Sequence, residues 1–160
     1  MLHNDYGDQV CSVAGTLELI GERWSIMVIR EVLYGRRKFS EMQRTLGVAR
    51  NVLAARLERL VEGGILERRI YSEQPERYEY FLTEAGLDLW PVLISLMQWG
   101  DKHLPTPPGG PPVRVLHRGD CGGEIDEHRI CSRCGERLTV RDVRGVLSPE
   151  AERAIAGAAS

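Results

Sequence analysis

The sequence predicts a mainly α-helical α+β fold followed by a small cysteine-rich module, and three observations predict it. Apolar residues recur at helical spacing through most of the first half of the chain. Two short runs of β-branched and aromatic residues, joined by a proline-containing polar turn, come next. Beyond a proline-rich break, "HRGDCGGEIDEHRICSRCGE" packs three of the four cysteines and two of the four histidines into residues 117–136.

The elements follow in order. From Cys11 to Ile20, Val13, Leu17 and Ile20 fall on one helical face, and Gly21 interrupts. "RWSIMVIREVLYG" gives a second helix whose broad apolar face carries Trp24, Met27, Val28, Ile29 and Leu33, with Gly35 at the usual C-terminal stop. After the basic turn "RRK" and Phe39, Ser40 is expected to cap a short helix "EMQRTL", with Gln43 at the capping-box position and Gly47 closing it. "VARNVLAARLERLVEGG" is a further helix, with Leu53, Leu57 and Leu60 on one side and Gly63-Gly64 as its stop. "ILERRIY" and "YEYFL" read as a β-hairpin turning through "SEQPER". Thr83 is expected to cap a long helical stretch through residue 104, which Pro91 must kink or break because it supplies no N–H to the ladder. Leu89, Leu93 and Leu96 form one apolar row there, and Trp90, Met97 and Leu104 a second; two rows on one helix need two neighbours.

"PTPPGGPP" holds five prolines and two glycines in eight residues and reads as a semi-rigid linker. The expected organisation is therefore a main domain over 1–104, a linker over 105–112 and a module over 113–160, weakly coupled to the first. The module should contain a strand "VRVL" and a short helix after Ser148-Pro149. The N-terminal residues lack the basic start and apolar run of a signal peptide, and the longest apolar stretch, "WPVLISLM", is too short to span a bilayer; the expectation is a cytoplasmic protein without a membrane partner.

The net charge of −2 hides its distribution: the segments 1–35, 36–77, 78–104 and 105–160 sum to −3, +4, −3 and 0. A positive middle between acidic flanks is the electrostatic footprint of nucleic-acid binding. Helix, glycine turn, second helix and hairpin is the order of a winged helix-turn-helix. At 3.6 residues per turn, Asn51, Ala55 and Arg59 lie opposite the leucine row, flanked by Val52 and Arg56. Asparagine and arginine there are able to make bidentate contacts with base edges, while Ala55 and Val52 leave room for close approach. Lys38, Arg44 and Arg50 stand where phosphates would pass, and Arg68, Arg69 and Arg77 bracket the hairpin turn. An ordinary solvated face explains a single such helix; the agreement of helix order, turn, charge and hairpin favours double-stranded DNA.

Residues 11–104 resemble the HxlR-type winged-helix transcriptional regulators. The likeness rests on Cys11 before the first helix, "IGERW", the "RRKFSE" entry, "ARLERLVEGGILERR", the proline-containing wing and "YFLTEAG". The resemblance implies a dimeric DNA-binding regulator. The first helix and the 90–104 stretch, whose double apolar row exceeds what one small domain can cover, are the expected surfaces of a homodimer, and a two-fold protein implies an inverted-repeat operator. The resemblance also makes Cys11 a possible sensor of electrophiles or oxidants. Two positions depart from the pattern: Ala49 stands where many members carry a capping serine, and Ser12 replaces the frequent proline after the cysteine.

The remaining cysteines have metal-ligand spacing. His117, Cys121, Cys131 and Cys134 form H-x3-C-x9-C-x2-C, and three thiolates with one imidazole suit a closed tetrahedral structural zinc site in a ribbon-like fold. Gly122 and Gly135 follow two of the cysteines and give the backbone room to curl toward sulfur. A Cys131–Cys134 disulfide and an unloaded site are the competing readings, with His128 a spare ligand. A thiol oxidoreductase, a thiol-based switch and an interaction adaptor whose tail contacts a partner are the rival functions. No nucleophile pair or phosphate loop elsewhere favours an enzyme, and the effector is not encoded in any recognisable motif.

Overall fold

The structure, a computed structural model, describes residues 10–105 and 110–157, with side chains through residue 153. The chain divides between Leu87 and Asp88 into two compact units. Sequence reading instead put the boundary in the proline-rich segment, of which residues 106–109 lie outside the described residues. The helix that begins at Trp90 thus groups with the cysteine-rich part of the chain.

The first unit contains α1 (Ser12–Ile20), α2 (Ser25–Leu33), α3 (Phe39–Leu46), α4 (Arg50–Glu62), β1 (Leu66–Glu73), β2 (Glu76–Leu82) and the single turn α5 (Glu84–Leu87). Its interior is one apolar set contributed by every helix from α1 to α4 and by the start of β1: Ala14, Ile20, Val28, Ile29, Val32, Met42, Leu53, Leu57, Leu60 and Leu66 are all buried. Val13 and Leu17, by contrast, are exposed, so α1 buries only part of its apolar face.

Local chemistry fixes the approach to α4. Glu31 on α2 is fully buried, yet its carboxylate accepts from Arg30 Nε at 3.0 Å and lies 3.1 Å from Arg36 Nη1. Its second oxygen sits in ion-pair rather than hydrogen-bond geometry. A charge so buried persists only with such compensation, and the pairing pins the basic turn that enters α3. α3 starts one residue before the expected Ser40 cap. Glu41, not Gln43, is the acidic partner, its carboxylate accepting the Lys38 and Arg37 amides at 3.1 and 3.2 Å. Gly47, at φ +62°, supplies the left-handed residue that ends α3 and aims the chain into α4. Ala49 occupies the N-cap of α4 without any side-chain cap bond.

β1 and β2 pair antiparallel from Leu66↔Leu82 to Glu73↔Glu76, with an irregularity between Ile70 and Ser72, and turn tightly through Gln74 and Pro75. The strands therefore run further into "SEQPER" than their composition suggested. Lys38 bridges Glu79, and the Tyr80 amide donates to Arg37 O at 2.9 Å, so the α3 entry adds a short third edge to the wing. Thr83 caps α5: its hydroxyl accepts the Gly86 amide at 3.1 Å and donates to Gly64 O at 2.6 Å. The break expected from Pro91 falls at 88–89, leaving Pro91 in the first turn of the next helix, where its missing N–H costs nothing.

The second unit contains α6 (Trp90–His103), β3 (Val113–His117), β4 (Val143–Leu147) and α7 (Pro149–Gly157). β3 and β4 pair antiparallel from Val113↔Leu147 to His117↔Val143. Ser148 caps α7 by accepting the Ala151 amide at 3.1 Å. On α6, Trp90 and Ile94 are buried, while Val92, Leu96, Trp99 and Leu104 are exposed. Among the described residues no helix is long and apolar enough to cross a membrane.

Candidate nucleic-acid interface and metal centre

In the first unit, α4 buries Leu53, Leu57 and Leu60 and turns Asn51 and Ala55 to solvent, with Arg50 exposed at its first turn. Arg44 on α3 is exposed as well. Two arginines of the expected outer face are differently engaged. Arg59 donates through Nε and Nη2 to Glu18 O at 3.2 and 2.9 Å, tying α4 back to α1. Arg56 lies 3.4 Å from the Glu22 carboxylate, and only 20% of its side chain is exposed. Helical periodicity gives a residue's direction from its own axis but not which neighbouring helix end waits there.

The wing and the α3 entry interleave cations with rings. Arg37 and Arg69 both stand 4.4 Å from the Phe81 ring, Arg68 is 4.5 Å from Tyr78, Lys38 is 5.0 Å from Tyr71 and Arg50 is 5.1 Å from Phe39. Such stacking holds long side chains in fewer rotamers without removing their charge. Arg69 also pairs with Glu67 at 2.5 Å, and Arg77 is exposed beside the hairpin turn. Between the wing and the starts of α3 and α4 opens a cleft of about 530 Å³, lined among others by Ser40, Arg50, Tyr71, Arg77 and Tyr80. Tyr71 and Tyr80 were not singled out from the sequence, and Ser40 only as a helix cap. The alternation of aromatic and basic residues in "RRKF", "RRIY" and "RYEYF" is the signal that would have found them.

In the second unit, His117, Cys121, Cys131 and Cys134 come together, their ligand atoms all within 4.8 Å of one another. His117 Nδ1 is 3.1 Å from Cys121 Sγ and 3.5 Å from Cys134 Sγ, and the Cys121 and Cys131 sulfurs are 3.5 Å apart. These spacings approach the edge, about 3.8 Å, of a tetrahedron with metal–sulfur bonds of about 2.3 Å. The imidazole's other nitrogen, Nε2, lies 3.7 Å from the exposed Glu136 carboxylate, beyond hydrogen-bond distance.

The backbone is shaped to this cluster. Gly123 has no Cβ to spare: one would fall 2.4 Å from Cys131 Sγ. Gly122 and Gly135 take φ of +55° and +75°, in line with the turns expected after the cysteines. The Cys134 amide, aided by that of Arg133, favours the Cys131 thiolate against the cost of its desolvation and lowers its pKa to about 6. Cys134 accepts from the Glu136 amide, which favours thiolate, but its hydrogen bonds with the other two sulfurs prevail and raise it. All four cysteines are free thiols, Cys11 among them, exposed at the N-cap of α1 without a side-chain cap bond. His128 is exposed beside Glu127 and stays outside the cluster. Four protein donors can hold a metal ion.

The HxlR-like helix-turn-helix family model matches residues 19–107, more than half of the chain. The chain belongs to this family. Its relatives include an HTH-type transcriptional regulator of Mycobacterium tuberculosis, Rv3095, 48% identical over 132 residues and 82% of each chain. YdeP of Bacillus subtilis is 31% identical over 94 residues, 58% of this chain and 73% of its own. Among solved structures, the transcription factor PA1607 is 34% identical with a TM-score of 0.67, over 89% of this chain and 96% of its own. The redox regulator HypR, in its oxidised form, is 30% identical with a TM-score of 0.55, over 60% of this chain and 100% of its own. HypR is thus matched completely by part of this chain. A match of 132 residues in a chain of 160, in contrast, must reach residue 132 and so take in Cys131. The protein is an HxlR-type DNA-binding transcriptional regulator that carries an extension beyond the family core.

Proposed function

We propose that this regulator acts in the cytoplasm as a homodimer on an inverted-repeat operator, reading base edges through α4 and the duplex backbone through the wing, and that it is not an enzyme. The observation that carries the reading is the exposed start of α4, where Arg50, Asn51 and Ala55 face solvent above a fully buried leucine row. The stacked basic side chains of the wing support backbone contact. The exposed apolar residues of α1 and, separately, of α6 support self-association, since exposed apolar surface of this kind marks interaction sites. The base-reading set is Asn51 and Ala55, with Lys38, Arg44, Arg50, Arg68, Arg69 and Arg77 for phosphates; Arg56 and Arg59 serve chiefly to hold α4 against acidic residues of the first unit. Selection from a random duplex pool tests this. Enriched sites should be two-fold symmetric, with half-sites one helical turn, roughly 10 base pairs, or a multiple of it apart. No enrichment over bulk DNA would remove the assignment.

The second part of the proposal is that His117, Cys121, Cys131 and Cys134 hold one structural zinc ion. The convergence of the four donor atoms and the close approach of Gly123 to Cys131 Sγ support it. With four protein donors no position stays open for substrate, which favours a bracing role over metal catalysis. Cys11 supports a narrower reading as a thiol sensor, because it is exposed at a helix start. An electrophile should then modify Cys11 and alter operator affinity in wild type but not in Cys11→Ser. Equal affinity before and after confirmed modification would end that reading.

A further inference from the structure

The turn that leads into ligand Cys131 is closed almost entirely by one residue. Asp126 Oδ1 accepts the amides of His128 and Ile130 at 2.9 and 2.8 Å, its own amide donates to Ile130 O at 2.9 Å, and its carbonyl accepts the Arg129 amide at 3.0 Å. Ile125 bridges Cys131, and the Ser132 amide reaches Glu124 O at 2.8 Å. Asp126 therefore cannot shift without Cys131 shifting as well. The same Asp126 carbonyl accepts a second hydrogen bond, from Gln98 Nε2 on α6 at 2.9 Å, across 28 residues of sequence and the proline-rich segment.

Gln98 continues the row of Trp90 and Ile94 at four-residue spacing, the face of α6 that is buried. Val92, Leu96 and Trp99 stand exposed on the other side, and the Trp99 ring packs against His103 at 5.1 Å. One end of the chain of contacts is thus a ligand sulfur, and the other is the C-terminal half of a helix with an apolar outer surface.

We propose that occupancy of the His117–Cys121–Cys131–Cys134 centre by a soft divalent cation such as Zn2+ governs the order of α6 through the Asp126 turn and Gln98, so that the ion is an effector of this regulator as well as a brace. The inference rests on the metal reading above. The apolar interior that remains around β3 and β4 without the ion is small, chiefly Val115, Leu138 and Val143, too little to hold the 126–130 turn in place once the ligands separate. Loss of the turn removes the acceptor from Gln98, and the last turns of α6 fray. A helix end that is held in one state and free in the other is the kind of two-state element through which a bound ion acts at a distance.

The test uses the full chain, reduced, with its metal content measured in each state. Hydrogen exchange at residues 92–104 is followed in protein holding one Zn2+ per chain, in protein stripped by a chelator, and in stripped protein given Zn2+ back. Stripping should speed exchange of the amides after Gln98 by about tenfold or more, and Zn2+ alone should restore it. Gln98→Ala should keep one Zn2+ per chain while its α6 exchange stops responding to the ion. Equal α6 protection with and without Zn2+ overturns the coupling and leaves the metal centre standing. A Gln98→Ala protein that still responds overturns this route. Failure of the reduced chain to bind Zn2+ at all would take down the metal reading, and the coupling with it.

Discussion

In the unit that ends at Leu87 the interior is mostly apolar, and of the buried polar side chains among its described residues, Ser25 and Glu31, the charged one is compensated by Arg30 and Arg36. In the unit from Asp88 the strands β3 and β4 bury Val115 and Val143, but the most buried side chains of the cysteine-rich part are Leu138 and a cysteine, Cys131. The first unit has enough apolar contact to define one packing by itself. Around the cysteines, short glycine turns and polar hydrogen bonds fix the local path but supply little of the burial that offsets chain entropy. Two parts of one chain thus differ in what can order them: one has an apolar interior that excludes water, and the other has little apolar burial but four side chains that can hold a metal ion. The difference explains how an extension can follow a family core that HypR shows is complete without it.

The comparison breaks most visibly on metal removal. Stripping zinc should withdraw folding energy on the order of 10 kcal/mol from the cysteine module, opening the chain beyond residue 113 to protease while α1–α4 keep their circular dichroism. A tail that stays protected in metal-free, reduced protein would show that packing holds it. The converse substitution, Leu57→Ala, removes a fully buried side chain from the first unit and should lower its stability by about 2–5 kcal/mol in urea melts, with zinc content unchanged.

On the DNA side the effects are smaller. Asn51→Ala should weaken binding to the selected operator by about 1–3 kcal/mol and relax its sequence preference in gel shifts. Arg69→Ala should have the smallest effect of these changes, because its guanidinium is already shared with Glu67. It should weaken all duplexes alike and reduce the slope of log affinity against log salt by about one.

The sequence by itself determined the parts whose causes are local. Leucines at 53, 57 and 60 specify which side of α4 is buried, Gly47 specifies where α3 must turn, and Pro91 specifies that no single helix runs from Thr83 to Leu104. The convergence of His117, Cys121, Cys131 and Cys134 was legible too, since their chelating intervals along a glycine-rich chain are what brings four such donors together. Caps proved less legible: α3 begins at Phe39, so Ser40 lies inside its first turn, and the Glu41 carboxylate instead accepts the Arg37 and Lys38 amides.

Only the tertiary structure decided the partners of long, flexible side chains. Arg59 and Arg56 read as groove-facing on a wheel, but Glu18 and Glu22, at the end of α1 and just after it, meet them in space. The pairing of His117 with Val143, the shared Asp126 carbonyl and the grouping of α6 with the cysteine module also join residues far apart in sequence. A periodic pattern encodes the direction in which a residue points from its own backbone. What it meets there depends on how separate elements pack, and one chain of residue types read in order carries no distance between them.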